Sequence, residues 1–254
     1  SNFKLSLSNL REKVLVNKED KKLIDSLANL HGDERISFLE KMRESTLTRQ
    51  DLDILSGRKE GLAVFHKKLF IEQDWNEPQW QKFFDNNTWI FGYGLDYRFL
   101  SILQKEVAVS NIDLDGKNTV NSDFLLGSTD FTVLVELKRP DTLLFEQSKN
   151  RSQSWRLSKY LVHAVSQILA QKAAWEIKSS QTNYDGNGCL ISQKTSDPKA
   201  ILIIGSKDQI DGNTRDHEIK QKTFELYRRD SRNVDIITYD ELYERAYFIV
   251  NQKL

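Results

Sequence analysis

Apolar residues recur along the chain with two different spacings, and the change between them divides it. From Lys18 to about Phe70 they return every third or fourth position between polar breaks, the period of amphipathic helices. Three helices are predicted there, at Lys21 to Leu30, Glu34 to Met42 and Lys59 to Phe70, the last placing Leu62, Phe65, Leu69 and Phe70 on one stripe. Beyond Asp74 the texture becomes Trp-rich and then alternating. An acid followed by Pro opens Glu77-Pro-Gln-Trp-Gln-Lys-Phe-Phe, and Asn86-Asn87 closes it, so this segment reads as a helix. Strands are predicted at Glu106 to Leu114, about Thr119 to Leu126 and Phe131 to Lys138. Asp115-Gly116 makes the turn between the first two, because Gly accepts positive φ, and Arg139-Pro140 stops the third, because Pro cannot donate to a ladder.

A long helix follows, roughly Ser154 to Lys178, with Leu157, Leu161, Val165, Ile168 and Leu169 as its buried side. After a polar loop, the apolar run Ala200 to Gly205 reads as a strand covered on both faces. A charged helix (Arg215 to Arg229), a strand (Val234 to Thr238) and a last helix (Tyr239 to Val250) complete the pattern. The expected fold is α/β, a mixed sheet flanked by helices over residues 74–254, preceded by a helical region over residues 1–73 that serves assembly or regulation.

Composition narrows this picture without changing it. A chain of 254 residues with 39% hydrophobic and 29% charged residues is globular rather than disordered or fibrous. Lys and Arg balance Asp and Glu at 37 each, so any basic surface is local. No apolar run reaches the roughly 18–20 residues that span a bilayer and no secretory signal opens the chain, which points to a cytoplasmic protein without a membrane partner. The single cysteine, Cys189, excludes an intrachain disulfide and a multi-thiolate zinc site. The first residue is Ser1 rather than Met, so a preceding region stays open.

The chemistry lies in the predicted meander. In a strand, alternate side chains share a face, so Glu136 and Lys138 of Val135-Glu-Leu-Lys138 project together from the end of a β-branched run expected at the sheet centre. An ionised group there is costly unless it is paired or metal-bound. Folding the hairpin about the centre of its loop, between Thr129 and Asp130, places Asp123 opposite Glu136, close enough for both carboxylates to meet one cation. With the backbone carbonyl of Leu137 they make a hard-oxygen set suited to Mg²⁺ or Mn²⁺. That set suits phosphodiester hydrolysis, with Lys138 orienting or deprotonating a water or offsetting charge on the phosphate. A buried ion pair of Lys138 with either acid is the structural alternative. Just past the motif, Arg139 and the segment Lys149-Asn-Arg151-Ser-Gln-Ser-Trp155-Arg156 form a local basic, aromatic-containing stretch that could hold phosphates; an exposed loop is the plainer account.

The order of these elements is that of the PD-(D/E)XK nuclease core, and several segments resemble the C-terminal nuclease domain of the Shedu antiphage defence family: Glu77-Pro-Gln-Trp-Gln-Lys-Phe-Phe, Trp89-Ile-Phe-Gly92, Val135-Glu-Leu-Lys-Arg-Pro140, Ile203-Ile-Gly205 and Ile237-Thr-Tyr-Asp-Glu-Leu242. The resemblance runs from about Asp74 to the C-terminus. It implies a divalent-metal-dependent DNA endonuclease or nickase acting against phage DNA, usually as a homo-oligomer. The proline of the signature's first acid is missing, since Asp123 follows Asn121-Ser122. The resemblance also assigns a metal-site role to Glu77 on the first core helix, for which a helix-end carboxylate is the alternative. On the long helix His163, Gln167 and Gln171 form a polar stripe, and a Gln near the catalytic Lys in related nucleases favours Gln167; a solvated helix face explains the stripe as well. The rival functions are a repair or restriction-like nuclease outside phage defence and a DNA-end-binding module that does not cut.

Overall fold

The computed structural model describes residues 49–91, 101–108, 121–127, 131–184, 188–192, 194–210 and 214–251, with positions 32, 36 and 212. The chain divides into two compact units, residues 1–56 and 57–254. The expected helices at Lys21 to Leu30 and Glu34 to Met42 lie outside the described residues, as does the turn at Asp115-Gly116. Helix α1 (Arg49–His66) widens into a π-helical turn, Lys67–Glu72. From Gly57 onward it belongs to the larger unit, and its Leu62, Phe65 and Leu69 enter that unit's core, while Phe70 stays 40% exposed.

Helix α2 (Glu77–Asn86) starts where the sequence indicates, with Pro78 in its first turn. The Asn76 side chain accepts from the Gln79 backbone N–H at 3.0 Å and the Gln79 side chain accepts from that of Asn76 at 2.9 Å, which satisfies two otherwise orphaned donors. Strands β1 (Ser101–Ala108), β2 (Asn121–Gly127) and β3 (Phe131–Leu137) form the antiparallel meander, with β1 several residues earlier than the alternation suggests. A two-stranded hairpin follows, β4 (Phe145–Lys149) and β5 (Trp155–Leu157). Helix α3 (Lys159–Ser179), strand β6 (Lys194–Ile203), helix α4 (Arg215–Asp230), strand β7 (Asp235–Ile237) and helix α5 (Tyr239–Asn251) complete the unit. The main sheet has the order β1-β2-β3-β6-β7, with β6 and β7 parallel to their neighbours, so β3 is central and the sheet is mixed.

The long helix begins later than its apolar pattern suggests. Residues 155–157 pair with β4, and Ser158 caps the helix: its hydroxyl accepts from the Leu161 N–H at 3.0 Å and donates to the Leu143 carbonyl. Its buried stripe runs through Leu161, Ala164, Val165, Ile168, Gln171 and Trp175. Leu169, one position past Ile168, rotates about 100° off that stripe and is 38% exposed.

Strand alternation gives the sheet two different faces. Val133, Val135 and Leu137 of β3, with Phe124, Leu126, Ile201 and Ile203, pack against α1, α2 and α5. On the opposite face, Ala200 and Leu202 pack with residues of α3 and α4, and Leu125 and Leu134 meet Trp175 of α3. Thr132 and Glu136 share this second face by the same alternation.

Candidate active site

Phe124 lies opposite Val135 and Leu125 opposite Leu134, the register expected from the loop centre. One position further sets Asp123 against Glu136, on the face covered by α3. The Asp123 carboxylate accepts from the Leu137 N–H at 2.7 Å, so a side chain rather than a neighbouring strand satisfies this donor near the end of β3. Glu136, 2% exposed, is held by three donors. Lys138 Nζ and Gln167 Nε2 donate to its Oε1 at 2.8 and 2.7 Å, and Gln171 Nε2 donates to its Oε2 at 2.7 Å. Lys138 Nζ also stands 3.6 Å from Glu77 Oε1, at the first turn of α2. Four elements thus bring Asp123, Glu136, Lys138, Glu77 and Gln167 into one cluster.

One further residue joins it that the motif reading did not single out as a site residue. Gln171 is fully buried and grips the second oxygen of Glu136; its i+4 spacing from Gln167 was the available signal. Of the same stripe, His163 is exposed. Tyr239, at the start of α5, is fully buried, and its hydroxyl has no hydrogen-bond partner among the described residues. Its ring packs with Trp80 and Phe84 on the aromatic face of the sheet, and burial holds its hydroxyl protonated. Nothing in the sequence around Tyr239 distinguishes it from an ordinary core tyrosine.

The electrostatics are those of a crowded acidic site. Burial, then the neighbouring Glu136 charge, pushes the Asp123 carboxyl up to about 7, against the lowering effect of the Leu137 N–H. Burial alone would lower the Lys138 ammonium, but the charge of Glu136 and its hydrogen bond, with Glu77 and Asp123, outweigh burial and raise it. Lys138 is therefore a firmly charged group. Among the described residues no three His, Cys, Asp or Glu side chains form a ready metal cage. The donor set still fits a hard cation, because two facing carboxylates, Asp123 raised first by burial and then by Glu136, lie beside the main chain of Leu137.

The basic residues stand apart from this cluster in different ways. Arg139 follows Lys138 directly and pairs with Asp141 at 2.6 Å. Lys149 pairs with Asp216 of α4 and lies 5.5 Å from the centre of the Trp155 ring. Arg151 and Arg156 are exposed on the β4–β5 hairpin, which is an ordered two-stranded projection rather than a loop leading into a helix.

Comparison with known proteins bears on this arrangement. The profile of a family described as "Shedu protein SduA, C-terminal" matches residues 74–243. The chain is 28% identical over 247 residues to the Shedu protein SduA of Bacillus cereus (strain B4264), a match covering 87% of this chain and 63% of that protein.

Proposed function

We propose that this chain, which belongs to the Shedu family, carries a PD-(D/E)XK-type nuclease centre that hydrolyses phosphodiester bonds of phage DNA in a divalent-metal-dependent reaction. The observation that carries this reading is the facing pair of half-buried Asp123 and buried Glu136, with Asp123 pushed up to about 7. Two carboxylates so close repel each other, and the Lys138 ammonium on Glu136 offsets only part of that repulsion; a divalent cation between them would offset the rest.

Asp123, Glu136 and the Leu137 carbonyl would hold Mg²⁺ or Mn²⁺, which when bound supplies positive charge at the phosphate and acidifies a coordinated water. The remaining work falls to the protein. Gln167 and Gln171 fix both oxygens of Glu136, so the carboxylate cannot rotate away. Lys138, kept charged by its acidic neighbours, sits where negative charge grows on the phosphate. Glu77 holds the far side of that ammonium. Arg151 and Arg156 supply exposed cations for the DNA backbone, whereas Arg139 is engaged by Asp141 and Lys149 by Asp216. Membership of the Shedu family supports a defence role, and phage DNA as the target is part of the proposal.

Incubating supercoiled plasmid with the chain in Mg²⁺ should produce nicked or linear DNA, and EDTA should stop it. Plasmid left intact in Mg²⁺ and in Mn²⁺ would sink the proposal. The Lys138–Glu136 hydrogen bond favours a second reading, a DNA-binding module that never cuts, and retention of plasmid on a gel without strand breakage would select it. Homo-oligomerisation belongs to the same proposal; light scattering should return a dimer or larger, and a monomer at micromolar concentration counts against it. Among the described residues no helix is long and apolar enough to cross a membrane.

A further inference from the structure

A cleft of about 390 Å³ opens at the segment that follows β3. Its walls continue the elements that carry the site. Arg139 and Pro140 follow Lys138, and Trp80 stands one turn along α2 from Glu77. The volume lies within the range of small-ligand sites.

The lining decides what could enter. Its two cations are each engaged by acids: Arg139 bonds Asp141 at 2.6 Å, and Lys68 bonds Glu72 and, at 3.0 Å, Asp74. Phosphate therefore gains little from entering. The apolar part is aromatic: half-buried Trp75 carries the Lys68 ammonium over its ring at 5.3 Å and stands nearly perpendicular to buried Trp80 at 4.9 Å, with Leu143 beside them. The polar part offers acceptors. Asp141 and Asp208 are carboxylates, and the Gln73 amide donates its N–H to the Leu69 carbonyl at 3.2 Å, which leaves its oxygen to accept. Gln209 offers nothing, because its oxygen accepts from Leu144 N–H at 2.8 Å and its nitrogen donates to the Thr142 carbonyl at 3.0 Å. An aromatic wall, acceptors at the rim and no net charge together select a neutral, planar heteroaromatic group bearing N–H donors.

We infer that this cleft takes one unpaired nucleobase carrying an exocyclic amino group, from the substrate strand next to the scissile phosphate. The inference rests on the nuclease reading and adds to it a preference for distorted or frayed DNA. A base inside a duplex cannot reach an indole on the protein, whereas a bulged or flipped base can stack on it, and the acceptors at the rim favour one that carries an amino group.

The test uses the full chain with Asp123→Asn, so that DNA stays uncut, and short duplexes that differ only in one unpaired adenine or one unpaired thymine. The adenine-bulged duplex should bind about tenfold more tightly than the fully paired one, from a single stacking contact. Thymine, without an amino group, should gain less. Trp75→Ala should erase the preference, and so should Leu143→Trp, which fills the cleft from a position 47% exposed and so spares the fold if the first variant does not. Equal affinity for bulged and paired DNA, equal gain from thymine, or a preference that survives both variants overturns the inference. Displacement of the bulged duplex by micromolar free AMP overturns the substrate strand as the source of the base. Plasmid cleavage by the unmodified chain, run alongside, reports on the nuclease reading separately.

Discussion

The two faces of the central sheet differ in kind although one strand supplies both. On one face Val133, Val135 and Leu137 lie under a packed aromatic cluster, with Phe65 at its centre and Trp80, Phe83 and Phe84 around it at 5.5–5.6 Å. On the other, Thr132 and Glu136 meet a polar ridge of α3. Trp175 donates to the Thr132 hydroxyl at 3.0 Å, and Gln171 and Gln167 donate to Glu136 at successive turns. Alternation within seven residues of β3 thus separates burial that stabilises from burial that is expensive. The aromatic face supplies the stability that lets a carboxylate be buried on the other.

The largest expected effect breaks the polar face alone. Glu136→Ala or Asp123→Ala should reduce plasmid cleavage by about a thousandfold or more, because each removes a proposed cation ligand. Near-normal secondary structure by circular dichroism should accompany that loss, and full activity in either variant would remove the site assignment. Phe65→Ala is the counterpart on the aromatic face. Deleting a fully buried ring there should cost about 3–5 kcal/mol of stability, read by denaturant melting. Molecules that remain folded should cleave at near-normal rate. A variant that melts normally but fails to cut would show that the faces are not independent.

How much of this was legible in the sequence follows from the same division. The aromatic face and the sheet core obey simple periods, so α2, β3, α4, β7 and α5 stand close to where apolar spacing puts them, while β6 starts at Lys194, inside the stretch expected to be a polar loop. The β2–β3 register was legible because a short hairpin constrains its own pairing, and with it the placement of Asp123 against Glu136. The start of α3 was not legible. Trp155-Arg-Leu157 fits a helical stripe as well as a short strand, and only tertiary pairing with β4 and the cap at Ser158 decide between them. Gln171 looked like a continuation of a solvated stripe because polarity does not report burial; the buried acid that accepts from its amide nitrogen lies 35 residues away in sequence. The cleft walled by Trp75, Trp80 and Arg139 joins three separate segments and has no local signature.

Gln171 offers a smaller test of the polar ridge. If it orients Glu136 without touching substrate, Gln171→Leu should lower cleavage by about ten- to a hundredfold and raise the Mg²⁺ concentration needed for half-maximal rate. Gln171→Asn, with an amide one carbon short, should recover little. If Gln171→Leu changes only the melting temperature and leaves the Mg²⁺ dependence alone, Gln171 is a packing residue.

The smallest effect sharpens the contrast within buried carboxylates themselves. Glu241 resembles Asp123 in burial, but its pKa moves the other way. Burial would raise it, yet the Thr238 N–H at 3.0 Å and Arg228 at 2.7 Å together hold it below its ordinary value of 4.5. A depressed carboxyl stabilises the fold above its unfolded pKa, and that contribution disappears as pH falls through the folded value. Asp123 has the opposite sign: raised to about 7, it favours the fold when protonated, and that contribution is lost as pH rises from about 4 through 7. In EDTA at pH 8, Glu241→Gln should therefore lower the melting temperature, by the equivalent of about 1 kcal/mol, and the difference should shrink below pH 4. Under the same conditions Asp123→Asn should melt at or slightly above the parent, because it keeps an acceptor for the Leu137 N–H and removes the charge that Glu136 repels. Added Mg²⁺ should then reverse that order by stabilising only the parent, since a cation bound to the folded state alone raises its stability. If both variants lose stability equally in EDTA, Asp123 is a satisfied structural acid like Glu241, and the contrast on which the site rests is absent.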